Sequence, residues 1–306
     1  MEVLYLELHA VIDEFVLYIE IEKNYSVNTV ISYEYDLQLF LDFLTDRGCS
    51  TCINEITKTQ VRRFIQYLLG LLKQKPRSVN RKISSLKSFA KYCLKEQYVA
   101  YDFMHGIESP KTDDKLPVYM TLTDLQQLFS YLEREQSRFS MRNESMFKLL
   151  ATTGLRRSEL VSLTWQQVDL INGTIRIDGK GKKERILPLH PHLIPLLESY
   201  KASLRDYQMY PTEPVFLNKN QKVLDPRGLH VIFKDVLKKA GLPPTRFTLH
   251  HLRHTFATLM LQQNKENVDL RTLQELLGHE SITSTQVYTH VEFEQKKKAI
   301  NSFQIF

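Results

Sequence analysis

The sequence predicts a mainly α-helical protein in two parts, the second carrying one small β-hairpin. Three observations predict it. Apolar residues recur at helical steps along most of the chain. That pattern breaks at GIESPKTDDKLP, where Gly106, Pro110, Pro117 and two adjacent acids read as a linker. Paired β-branched runs flank GKGKK in GTIRIDGKGKKERILPL, which reads as a hairpin with a basic tip. The expected division is residues 1–105, a linker over 106–118, and residues 119–306.

Four helical segments precede the linker, near 5–22, 27–46, 57–72 and 77–98. In the second, Leu37, Phe40, Leu41 and Leu44 read as core. Asn28, Thr29, Ser32 and Tyr33 at its start suit two roles equally: contact with phosphate or bases, or ordinary capping and surface positions. In the fourth, Val79, Ile83, Leu86, Ala90 and Cys93 form one apolar stripe, while Asn80, Ser84, Lys87 and Lys91 fall on another. Small polar and basic side chains along one stripe suit a helix lying in a major groove. After the linker, helices resume at MTLTDLQQLFSYLE, where Thr121 and Asp124 form a start signal.

Charge is unevenly placed. The chain has 306 residues and a net charge of +6. Residues 1–55 carry 11 acids and only two bases, Lys23 and Arg47. Residues 56–95 carry 11 bases, among them Arg77 and Arg81, and no acid. A merely solvated surface would intersperse signs, so this segment points to nucleic-acid contact. No apolar run reaches the length of about 18 residues that a membrane span needs. The N-terminus carries acids early and does not read as a secretory signal. Cys49 and Cys52 form a lone CxxC without a second pair, which reads as ordinary thiols in a reducing cytoplasm.

The second part holds polar clusters that are each weak alone. Arg156 and Arg157 follow a Gly-Leu turn, and Lys180 sits at the hairpin. His250 and Arg253 open a helix within HHLRH, and His279 precedes Tyr288 by nine residues. Together they have one chemical logic. Two arginines can fork onto a phosphodiester and stabilise a pentacoordinate transition state. A histidine can take the proton of an attacking hydroxyl, and a lysine can return one to a leaving alkoxide. A tyrosine can form a covalent phosphate ester. No carboxylate cluster suited to Mg²⁺ accompanies them, so cationic side chains are expected to act without a metal.

These blocks resemble the tyrosine recombinase (phage integrase) family. They are Gly154-Leu155-Arg156-Arg157-Ser158-Glu159-Leu160, Gly179-Lys180-Gly181-Lys182-Lys183-Glu184-Arg185, His250-His251-Leu252-Arg253-His254, Leu276-Leu277-Gly278-His279 and Thr285-Gln286-Val287-Tyr288-Thr289-His290. They stand in that family's order and spacing over about residues 121–300. The length and the ending LGHESITSTQVYTHV are most similar to the Xer-like subgroup. The resemblance implies a four-helix core-binding (SAM-like) domain and a mostly helical catalytic domain with a β-hairpin or small three-stranded sheet. It further implies that Arg156 and Arg253 bind the scissile phosphate and that Lys180 protonates the leaving 5′-hydroxyl. His250 would assist proton transfer, His279 would hydrogen-bond the phosphate, and Tyr288 would form a 3′-phosphotyrosyl link. Glu159 would brace the site. Lys182 and Lys183 rival Lys180 and otherwise contact phosphate, as Arg157 rivals Arg156.

What the resemblance implies about partners is double-stranded DNA at a specific recombination site, with no cofactor and no membrane. The assembly would be a homo-tetramer, or a hetero-tetramer with a sister recombinase, on synapsed DNA, passing through a Holliday junction. The expected location is cytoplasmic and nucleoid-associated. No separate arm-binding domain is expected ahead of the first helix. The apolar tail over 292–306 reads either as docking on a neighbouring subunit or as packing on its own domain. Two other readings remain at this stage: DNA relaxation of the type IB topoisomerase kind, and a DNA-binding module without activity.

Overall fold

The computed structural model describes residues 6–111, 118–178, 184–204, 210, 212–263, 270–278 and 300–302. The chain separates into two compact units, Met1–Lys115 and Leu116–Phe306.

The first unit contains α1 (Leu8–Leu17), α2 (Val27–Asp46), α3 (Lys58–Gln66) and α4 (Pro76–Lys95). Helices α1 and α3 continue as π-helical turns, Tyr18–Glu22 and Tyr67–Leu71, which account for the longer segments the periodicity suggests. Starts follow local chemistry. Ser26 caps α2 by accepting from the Thr29 N–H, Thr57 and Gln60 form a capping box on α3, and Pro76 opens α4. The apolar stripe of α4 is buried as expected: Val79, Ile83, Leu86, Ala90 and Cys93 are each at most 1% exposed. It faces a core of aromatic pairs, Phe15 with Phe89 and Phe40 with Phe64. In α2, Leu37, Phe40 and Leu44 are buried but Leu41 is only half-buried, and Phe43 fills the core as well.

A small polar cluster lies inside this unit: Asp36, Lys82 and Ser85 are buried. Asp36 is fully buried on α2. Arg81 of α4 forks onto its carboxylate at 2.5 and 2.7 Å, the Ser85 hydroxyl donates at 2.7 Å, and Lys82 stands 3.5 Å away. This network sets how α2 and α4 meet. Removing the carboxylate would leave Lys82, 5% exposed, with its charge uncompensated. Breaking a buried pair in this way costs about 3–5 kcal/mol. Asp36→Ala is therefore expected to speed amide hydrogen exchange across α4, read by mass spectrometry, while exchange in the second unit stays unchanged. Unaltered exchange in α4 would show that the network contributes nothing.

The second unit begins with α5 (Leu122–Arg134), started by the predicted Thr121–Asp124 box. Helix α6 (Ser140–Thr153) is its centre and packs against α5, α8 (Leu193–Ser203) and α10 (Leu249–Gln263). Short α7 (Arg157–Ser162) follows, then the strands β1 (Val168–Asp169), β2 (Thr174–Asp178) and β3 (Glu184–Pro188). They form an antiparallel sheet in the order β1-β2-β3, with Ile175 opposite Leu187. The hairpin is thus extended to three strands, while its basic tip, 179–183, lies outside the described residues. Helices α9 (Pro226–Lys239) and α11 (Leu270–Leu277) complete the unit.

The α6–α7 turn depends on Gly154, whose φ is +64°. A Cβ there would lie 2.5 Å from Phe256 Cδ1 and 2.9 Å from Leu277 Cδ2. Left-handed strain and overpacking together give an expected loss of about 2–4 kcal/mol for Gly154→Ala. The readout is the urea midpoint followed by fluorescence of Trp165, the chain's one tryptophan, which is buried in this unit. A midpoint equal to that of the parent would refute the close-approach argument.

Candidate active site

The site is built where three turns meet. Arg156, two residues after Gly154, caps the start of α7 and is half-buried, whereas Arg157 points into solvent. Glu159, one turn into the helix, reaches back to both the Arg156 N–H (2.7 Å) and its Nη1 (2.8 Å). Arg156 Nη2 donates to Gly278 O at the end of α11, 2.8 Å away. Arg253, on α10 and 4% exposed, donates to Gly154 O and Leu277 O, each at 2.6 Å. The two guanidiniums that the sequence pairs by chemistry are therefore held around the same two glycine turns.

Burial, with Arg156 nearby, pushes Arg253 down to about 10, so it stays cationic at neutral pH. Burial would raise Glu159. The bonds from Arg185 and from the Arg156 N–H and guanidinium outweigh it, and the carboxyl is held below its usual range. His250 starts α10 beside these groups, its ring 4.3 Å from that of His254. Desolvation first, then His254 and Arg253, hold its pKa below the ordinary histidine value. It is thus a neutral imidazole at pH 7, able to accept a proton. His251 is occupied locally: its Nδ1 accepts from the Thr248 N–H at 3.2 Å and caps the helix start. Among the described residues, no three metal-ligating side chains converge.

Arg156, Glu159, His250 and Arg253 are thus brought together. Lys180, Lys182, Lys183, His279 and Tyr288 lie outside the described residues, as does most of the 292–306 tail. Sequence reasoning gave no role to Arg185. It sits on the same face of β3 as buried Leu187, two residues on, so its charge needs a carboxylate partner. That alternation was the signal available. In the first unit, Arg77, Arg81, Ser84, Lys91 and Asn28 are exposed, while Thr29, Asn80 and Lys87 are half-buried. Four of these side chains already have protein partners, the Ser84 hydroxyl donating to Asn80 O at 3.0 Å. Arg81 holds Asp36, Asn80 Nδ2 donates to Pro110 O at 3.0 Å, and the Thr29 and Ser26 hydroxyls are 2.8 Å apart.

Fixed guanidiniums beside a neutral imidazole have the chemistry to hold a phosphate and accept a proton next to it. A family model described as Phage integrase family matches residues 119–295, and one described as Phage integrase, N-terminal SAM-like domain matches 12–97. The chain belongs to this family, the tyrosine recombinases, enzymes that break and rejoin DNA. It is 37% identical to Tyrosine recombinase XerC of Anoxybacillus flavithermus over 281 residues, 90% of this chain and 91% of that protein. It is 35% identical to Tyrosine recombinase XerD of Staphylococcus aureus over 298 residues, 97% and 99% of the two. Its structure resembles that of XerH site-specific recombinase bound to palindromic difH substrate in a post-cleavage complex. That match has a TM-score of 0.70 at 25% identity, covering 85% of this chain and 75% of that one. In fold alone it resembles a lambda integrase (75-356) dimer bound to a COC′ core site, with a TM-score of 0.66 at 18% identity, covering 94% and 100%.

Proposed function

We propose that this protein is a site-specific tyrosine recombinase that cuts and rejoins double-stranded DNA through a covalent link to Tyr288. The observation that carries the reading is the Arg156–Glu159–Arg253 cluster, with neutral His250 beside it. Arg156 and Arg253 bind the non-bridging oxygens of the scissile phosphate and offset the charge of the pentacoordinate state. The Tyr288 oxygen attacks phosphorus while His250 receives its proton. The P–O5′ bond breaks, the 3′-phosphotyrosyl ester forms, and Lys180 gives a proton to the departing 5′-oxygen. His279 hydrogen-bonds the phosphate. The ester retains the energy of the broken bond, so a 5′-hydroxyl reseals the strand without ATP.

The exposed stripe of α4, with Arg77, Ser84 and Lys91, supports DNA contact by the first unit, as do Asn28 and Thr29 at the start of α2. Lys182 and Lys183 are assigned to backbone phosphate. Similar proteins have been seen bound to difH and to a COC′ core site, and lambda integrase as a tetramer on a Holliday junction. By analogy, this chain works as a tetramer on two duplexes, either alone or with a sister recombinase, in the cytoplasm at the nucleoid. Among the described residues, no helix is long and apolar enough to cross a membrane.

The test is one supercoiled plasmid bearing two copies of the target site, incubated with the protein alone. Recombination yields resolved or inverted circles at those sites. A ladder of topoisomers with no rearranged circle would instead assign relaxation, and an unchanged plasmid with retained binding and no covalent adduct on a nicked site would assign an inactive module.

A further inference from the structure

Arg185 has no part in the steps above, yet it touches both halves of the site. Its side chain is 13% exposed. Its Nη1 and Nη2 fork onto the Glu159 carboxylate at 3.0 and 2.8 Å, and its Nε donates to Leu276 O at 3.2 Å. Glu159 in turn holds Arg156. The three carbonyls that end α11 therefore each receive one arginine: Leu276 from Arg185, Leu277 from Arg253, and Gly278 from Arg156. Such carbonyls have no partner inside their own helix, and the helix dipole makes them negative. Helix α11 has no basic residue in its last turn, so the capping charge comes from distant elements. Arg185 also closes against Gly278, where a Cβ would lie 3.0 Å from its Nη1.

We propose that Arg185 is a positioning residue for strand cleavage: it locks the carboxylate that aims Arg156 and pins the end of α11. One side chain thereby ties a phosphate-binding guanidinium to the point from which the residues after 278 depart. Only an arginine can do both, because its planar fork reaches the carboxylate while Nε reaches the carbonyl; a lysine has a single point charge. The inference rests on the function proposed above.

The experiment uses the full chain and a duplex that the wild-type protein selects from a random inverted-repeat pool, nicked near its centre so that the cleaved end escapes. Single-turnover adduct formation is followed against pH, with DNA affinity and the Trp165 unfolding midpoint measured alongside. Arg185→Met is expected to slow adduct formation about 100-fold, as misplacing a reacting group does, with DNA affinity unchanged. The charged groups facing Glu159 are Arg156 of its own turn, Arg185 of β3 and Arg253 of α10. Losing Arg185 removes two of the contacts that keep the carboxyl low, so Glu159 protonates at higher pH and releases Arg156. The acid limb of the rate should accordingly move to higher pH. Arg185→Lys should recover part of the rate. In Arg185→Met/Glu159→Gln, where no buried charge is left unpaired, the shifted limb should vanish while the rate stays low. A parent-like rate in Arg185→Met overturns the proposal. So does a loss that merely tracks the unfolded fraction, with no shift of the limb. If the wild-type protein binds the duplex but forms no adduct, the proposed function itself is wrong and the role of Arg185 goes with it.

Discussion

Tyr288→Phe is expected to abolish the covalent protein–DNA adduct completely and to leave DNA affinity where it was. Phenylalanine keeps the ring and loses only the oxygen that would bond to phosphorus, so no ester can form. The basic stripe of α4 and the guanidiniums of Arg156 and Arg253 are untouched, and phosphate contacts of that kind dominate affinity for DNA. Labelled DNA run on a denaturing gel reads the adduct, and a mobility shift at fixed salt reads the affinity. The chain has 15 tyrosines. Any adduct that persists in the variant therefore has an alternative donor, which peptide mapping would identify, and the nucleophile assignment would be wrong.

Arg156→Ala is expected to slow adduct formation about 100- to 1000-fold, the usual effect of removing one donor aimed at developing charge. Arg157→Ala should leave the rate near that of the parent, because its side chain points into solvent. The two residues are adjacent and chemically identical, so the contrast tests geometry alone. Arg156 owes its role to Glu159 and Gly278 O, which fix two of its nitrogens and leave the rest of a 40% exposed side chain open to a ligand. Arg156→Lys keeps the charge but not the fork and should fall between the two. Single-turnover cleavage on one DNA substrate orders the three. A larger loss in Arg157→Ala would move the phosphate contact by one residue.

Much of the architecture could be read from short stretches. The stripe Val79, Ile83, Leu86, Ala90 and Cys93 announced α4, and Thr121 with Asp124 announced α5, because periodicity and capping are set by near neighbours. The π-helical turns at Tyr18–Glu22 and Tyr67–Leu71 left no such mark. Nor did strand β1, which is two residues long and exists only through its pairing with β2. Arg81 read as a DNA contact from the acid-free basic run around it, yet its guanidinium holds buried Asp36, 45 residues away. No local pattern reports a partner at that distance.

The site divides along the same line. By itself the sequence determined which residue types stand in which order: two arginines, a histidine beside the second, a lysine hairpin and a late tyrosine. That order is chemistry written along one chain, and it was enough to indicate phosphoryl transfer. Only the tertiary structure decided who holds whom. Arg156 meets Gly278 across 122 residues, Arg253 meets Gly154 across 99, and Arg185 meets Glu159 across 26. Those distances close only once α6, α10 and the sheet have packed into one core, because burial and not local propensity brings such hydrogen-bonding groups together.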